Sequence, residues 1–196
     1  MKCLFKQISF VIFFLLSSNF LTADNPDKDF LITLNGSTLT GTVKDISYST
    51  TEASLLFEND FGNAYTIYPA TIYGFAFVKD GTTILYESKF LDGKWQFLKV
   101  ERKGKEVSLY RSMERQLKFV GSAKNPIVEK EKNPQIWLQF ADEQPSKVYR
   151  LTYKAVLRKR MATCPEVINR LGKRGFKFND LPSIVELYNE LSSKKE

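Results

Sequence analysis

The chain has 196 residues, of which 43% are hydrophobic and 26% charged, with a formal net charge of +7 and no histidine. That length and balance describe a globular protein of one domain or two small ones, able to bury ~70% of its unfolded surface without a disulfide or metal staple. The missing imidazole removes Ser-His-Asp and Cys-His catalysis and nearly every zinc, copper or non-haem iron site, and two cysteines, Cys3 and Cys164, do not make an iron–sulfur cluster or a disulfide framework.

At the N-terminus Lys2 and Lys6 precede a nearly unbroken apolar run from Ile8 to Leu16, followed by Ser17-Ser18 and by Leu21-Thr22-Ala23 ahead of Asp24. This order of positive, apolar and small-residue regions predicts a secretory signal peptide over 1–23; the alternative is a short anchor that stays attached. The apolar run is well below the ~20 residues of a spanning helix, so no transmembrane span is expected after cleavage. Cys3 lies before the apolar run and is not the lipid-modified cysteine of a bacterial lipoprotein, which must follow it. Beyond the leader, charge changes sign along the chain. Residues 24–98 carry 5 Lys against 10 Asp and Glu, whereas residues 99–196 carry 22 Lys and Arg against 12 Asp and Glu. Such asymmetry suggests two faces or two subdomains with different partners.

Residues 24–120 read as an antiparallel β domain. Apolar runs of period two, such as Tyr73-Phe75-Phe77 and Val107-Leu109, alternate with turn signals at Asn35-Gly36, Asp60–Asn63, Asp80-Gly81, Asp92-Gly93 and Lys103–Lys105. Asn35-Gly36 reads as a type I′ hairpin turn with both central residues at positive φ. Residues 121–147 are polar and read as a linker with a strand at 136–140. From 148 to 196 the period becomes helical, in three stripes: Tyr149, Tyr153, Val156 and Leu157; Cys164, Val167, Ile168 and Leu171; and Leu181, Ile184, Val185, Tyr188 and Leu191. Thr163 and Glu166 form a candidate capping box, and Asn179 or Asp180 is a candidate cap ahead of Pro182. The predicted class is therefore α+β: an antiparallel sheet or small barrel in the N-terminal half, then about three amphipathic helices.

Several of these segments also carry a resemblance. Ile32–Val43, Tyr68–Phe75, Tyr86–Ser88, Trp95–Leu98, Val107–Tyr110, Tyr153–Leu157 with Cys164-Pro165, and Leu187–Asn189, in that order, resemble a group of uncharacterised exported proteins of Bacteroidetes bacteria. The resemblance covers about residues 30–190. It implies an exported location in a Gram-negative cell, whether periplasmic, outer-envelope-associated or secreted, and a β domain followed by helices. It carries over no catalytic residue, because the group has no known activity.

The candidate sites are few. Cys164 sits at a helix start, where a thiol pKa can fall, but it belongs to an apolar stripe and no histidine exists to activate it, so it reads as a buried structural cysteine. Tyr65, Tyr68, Tyr73 and Tyr86 are either a sugar-stacking platform or cross-strand pairs that stabilise the sheet. Asn35-Gly36-Ser37 matches a glycosylation sequon, which the hairpin turn explains better. Glu52, Glu58, Asp60 and Glu87 are the acids a carboxylate-only glycosidase would use, yet nothing in their spacing pairs them. Lys154, Arg158, Arg170, Lys173 and Arg174 make a possible anion-binding face; otherwise they are the solvated side of amphipathic helices. These readings favour a non-catalytic envelope interaction or structural module, the alternative being a carboxylate-only hydrolase of an envelope or extracellular polysaccharide. Neither requires a cofactor or a metal. The expected partner is an anionic envelope component or an acidic partner protein, and an exported protein is not expected to meet nucleic acid.

Overall fold

The computed structural model describes residues 28–48, 53–112, 118–120, 127–129, 134–141 and 143–194. The segment read as a signal peptide lies outside them, as does Glu52. Twelve strands are described: β1 (Asp29–Thr33), β2 (Thr38–Tyr48), β3 (Ala53–Asn59), β4 (Ala64–Ile67), β5 (Ile72–Lys79), β6 (Thr82–Leu91), β7 (Lys94–Arg102), β8 (Val107–Ser112), β9 (Lys118–Val120), β10 (Ile127–Glu129), β11 (Ile136–Phe140) and β12 (Ser146–Val148). Three helices follow: α1 (Tyr153–Arg160), α2 (Pro165–Ile168) and α3 (Leu181–Ser193). Ten strands form one antiparallel sheet in the order β12-β11-β8-β7-β6-β5-β1-β2-β3-β4, and β9 pairs with β10 separately. The class is thus α+β and mostly β, with the sheet first and the helices last. The sheet is continuous through Val148, so β11 and β12, within and just after the segment read as a linker, extend the same sheet that begins at Asp29.

Turn chemistry explains the hairpins. Asp80-Gly81 and Asp92-Gly93 have positive φ at both residues (50° and 70°; 50° and 78°), the type I′ geometry whose twist matches paired strands. Asn35-Gly36 departs from its expected form, because only Gly36 is positive (84°). There Gly36 N–H donates to the Thr33 carbonyl and Thr33 N–H to the Ser37 carbonyl, a wider hairpin with glycine in the left-handed position. Asn35 instead uses its side chain, accepting from the Ser37 N–H at 3.1 Å, which is why it can stay at negative φ. The β3–β4 turn repeats this pattern, with Gly62 donating to Asn59 and Asn59 to Asn63.

One row of directly opposed residues crosses the sheet: Leu39, Leu31, Phe75, Tyr86, Lys99, Arg111, Ile136 and Val148. Opposed residues share a face, so this face is apolar at both ends and cationic in the middle. At one end Leu31, Leu55, Phe57, Phe75, Tyr86 and Phe97 form a core, with Phe75 stacked on Tyr86 (4.9 Å, 9°) and edge-on to Phe97 (4.9 Å, 88°). Here the sheet curls, and β3 returns against β7 although four strands separate them in the order. At the other end Val107, Leu109, Leu138, Phe140 and Val148 meet Leu157, Met161, Leu181, Ile184, Val185 and Tyr188 of the helical region. Asn189 fixes that contact: its Oδ1 accepts from Glu106 and Val107 N–H at 3.1 and 3.0 Å, and its Nδ2 donates to the carbonyls of Val107 and Val185 at 2.8 and 2.9 Å. A Cβ at Gly104 would overlap the Asn189 amide, so the loop before β8 can close on α3 only with glycine there.

The helical stripes are buried, but not all as helices. α1 and α3 have 8 and 13 residues, whereas α2 has only 4. Beyond Asn169 the chain tightens to i→i−3 bonds, Arg170 to Val167 and Leu171 to Ile168, so the second stripe is completed by turns. Cys164 is the cap residue of α2, which leaves Thr163 one residue outside the helix. Asp180 caps α3 by position, with Pro182 in the first turn, and its carboxylate accepts from the Lys177 N–H at 2.9 Å. Tyr149, read as part of the first stripe, precedes α1 and is 56% exposed. Among the described residues no helix is long and apolar enough to cross a membrane.

Candidate functional site

The five residues read as an anion-binding face come from two neighbouring elements. Lys154 and Arg158 lie one turn apart on α1. Arg170, Lys173 and Arg174 follow α2 through the turn at Gly172, whose φ of 90° reverses the chain. The two elements meet closely: the Lys154 ammonium occupies the space a Cβ at Gly172 would need. All five side chains are exposed. Arg170 lies over the buried Phe176 ring at 4.0 Å, a cation–π contact that ties its guanidinium to the turn. No ion pair joins any of the five to a described acidic residue. Arg160, on the same helix, differs, since it is paired with Glu143 and lies over Phe140. Aromatic packing and the glycine approach thus gather cations from two elements without neutralising them.

The carboxylates behave in the opposite way. Glu58 pairs with Lys44 at 3.3 Å and Asp60 with Lys28 at 3.2 Å, on the surface of the β part. The hydrogen bond from Thr40 and that from Lys28 lower the Asp60 pKa. Glu87 is 2% exposed on the opposite sheet face, where Lys103 donates to its Oε1 at 2.7 Å, and Lys89 and the Tyr110 hydroxyl reach its Oε2 at 2.8 and 2.9 Å. Gln139 Oε1 accepts from Lys89 at 3.1 Å and lies 3.0 Å from the Tyr110 hydroxyl, whose single proton goes to either Glu87 or Gln139. Burial acts to raise the Glu87 pKa, but the hydrogen bonds from Lys103 and Lys89 outweigh it and hold the carboxyl below its ordinary value. Burial and the Glu87 charge raise the Tyr110 pKa; for Lys103, burial acts to lower it and is overcome by the bond to Glu87, which raises it. Each acid therefore has cationic partners of its own. Among the described residues no group of three His, Cys, Asp or Glu is placed to hold a metal ion.

The tyrosines divide. Tyr65, Tyr68 and Tyr73 are 44, 41 and 45% exposed, while Tyr86 is packed in the core against Phe75. Cys164 is buried, with a free thiol, as its stripe predicts. Sequence reasoning singled out Glu87 but missed the partners that neutralise it. Lys103, Tyr110 and Gln139 sit on or just beyond three other strands, and only the period-two placement of Lys89 two residues along β6 gave any signal.

Comparison with protein-family models, with curated proteins and with solved structures finds no match.

Proposed function

We propose that this is an exported, non-catalytic interaction module of the cell envelope, which uses the basic face of its helical region to hold an anionic envelope component. The supporting observation is the contrast in charge pairing. Lys154, Arg158, Arg170, Lys173 and Arg174 are exposed and unpaired with described acids, and Lys154 reaches the turn at Gly172 between the two elements that carry them, whereas the described candidate carboxylates are engaged by cations. Unpaired surface cations cost little in folding and attract anions over a Debye length of ~8 Å at physiological ionic strength. The order of the leader-like segment, Lys2 and Lys6 before the apolar run to Leu16, supports export. The test replaces Lys154, Arg158, Arg170 and Arg174 with Gln together and compares retention on isolated envelope fractions. Wild type is expected to be retained at low salt and released at high salt, and the fourfold variant to be lost at both. No retention of wild type at low salt, or equal retention of the variant, rejects the reading.

A further inference from the structure

A second cationic site lies away from the helix face, where the two cores of one sheet face fail to meet. The row Tyr86–Lys99–Arg111–Ile136 turns from apolar to cationic in its middle, and there the sheet and the start of α3 enclose a groove of about 630 Å³. Its lining includes Glu101, Arg111, Ile136, Val148, Arg150 and Phe178. That volume falls within the range of small-molecule sites, which join apolar walls to a few placed polar groups.

The polar groups are held in place by neighbours that leave donors free. Glu101 Oε1 takes both Lys99 Nζ and Arg111 Nε at 3.1 Å, so its charge is matched twice over, while no described residue takes the N–H donors of the two terminal nitrogens of Arg111. Arg150 Nη2 donates to Asn179 Oδ1 at 2.9 Å, and its guanidinium lies over the Phe178 ring at 5.4 Å. Two oriented guanidiniums therefore flank apolar walls supplied by Leu109, Ile136, Val148 and Phe178, and among the described residues Glu101 is the one carboxylate in the lining. A guanidinium fork matches the oxygens of a carboxylate or phosphate.

We infer that this groove binds an amphiphilic organic anion, an apolar body ending in a carboxylate or phosphate that Arg111 and Arg150 receive together. The apolar body seats against Ile136, Val148 and Phe178. A fully solvated inorganic anion would gain the charge contacts and forgo the walls; an uncharged amphiphile would do the reverse. The inference is independent of the helix-face reading, since none of its residues belongs to that face.

The test is isothermal titration calorimetry of the full mature chain with octyl phosphate and octanoate, each below its micelle concentration, and with octanol and inorganic phosphate as the two half-ligands. A single saturable site for at least one amphiphilic anion is expected, with both half-ligands at least tenfold weaker. The ratio of octyl phosphate to octanoate affinity tells which head group the groove takes. Arg150→Gln is expected to weaken binding at least tenfold; this side chain is exposed and its loss leaves the core intact. Arg111→Gln is expected to do the same, and Glu101 keeps Lys99 in that variant. The fourfold helix-face variant is expected to bind as wild type does. Absence of saturable binding, half-ligands that bind as well as the amphiphiles, or affinity unchanged in both arginine variants overturns the inference.

Discussion

The Glu87 cluster and the helix face hold the same kinds of side chain in opposite circumstances. Lys89 and Lys103 converge on a carboxylate with 3% of its side chain exposed, with Tyr110 and Gln139 taking the remaining bonds. Lys154, Arg158, Arg170, Lys173 and Arg174 stand in solvent with no ion pair to a described acid. A lysine count in the sequence treats these as equal. The structure separates them by what each would leave behind: removing one charge from the first orphans others in a partly dry site, whereas removing one from the second leaves only water. The first set is committed to the fold and the second is available to a partner.

The largest expected effect comes from breaking the committed set. Glu87→Gln retains the shape but leaves Lys89 and Lys103 without their counter-charge, and removing one partner of a buried pair costs about 3–5 kcal/mol. Urea unfolding should register this as a lower midpoint with an unchanged slope. If Glu87→Gln unfolds like wild type, the network contributes no more than a surface pair does. Asn189→Ala comes next. It strands the N–H groups of Glu106 and Val107 at the seam between β8 and α3, and each unsatisfied buried group costs about 1–3 kcal/mol. The same unfolding assay applies, and a loss below 1 kcal/mol would mean that water replaces the amide.

The network also predicts pH dependence. Because the folded-state pKa of Glu87 is lowered, the unfolded chain binds the extra proton as pH falls, and stability is lost below the unfolded value of about 4.3. Tyr110 and Lys103 are raised, so their contribution is complete below the unfolded values of about 10 and 10.4 and declines as pH rises beyond them. Stability measured by unfolding from pH 3 to pH 11 should therefore fall away at both ends. Glu87→Gln should flatten the acid limb and Tyr110→Phe the alkaline one. An acid limb unchanged by Glu87→Gln would place the sensitivity elsewhere.

Much of this arrangement could be read locally and some could not. The type I′ turns at Asp80-Gly81 and Asp92-Gly93 need only two adjacent residues, and the stripe through Leu181, Ile184, Val185 and Tyr188 needs only a helical period. Both are present in the structure. The Asn35-Gly36 turn took a different form because the Asn35 side chain could close it while its backbone stayed at negative φ. The rest of the strand order was out of reach: β1 pairs with β5 as well as with its hairpin partner β2, and that second pairing buries Leu31 against Phe75 across a long stretch of chain rather than following from any turn. The Glu87 cluster was hidden for a related reason. Lys103 is the first residue after β7 and Tyr110 lies inside β8, and the alignment that brings both to Glu87 includes a register shift between Val100 and Arg102. The guanidiniums of Arg111 and Arg150 likewise belong to different elements, and no spacing between them in the chain announces a groove.

The smallest effect should come from the available set, and there the comparison is sharpest. Amine acylation needs the neutral form of lysine, and it needs access. Lys154 has access, while Lys103 is bonded to Glu87 and Tyr110 and its pKa is raised, so little of it is neutral at any moderate pH. Brief treatment of the native protein with an acetylating reagent, followed by peptide mass spectrometry, should modify Lys154 and Lys173 well before Lys103. Unfolding in urea should bring the three rates together. The modified protein should also keep its stability, because substitutions at exposed sites without partners usually shift it by no more than about 0.5 kcal/mol. Equal native rates would show that Lys103 leaves the network readily and that the two cationic sets are not separated in solution. A marked loss of stability on acetylating Lys154 would show that its place beside Gly172 supports the turn, so that the helix face too is committed to the fold.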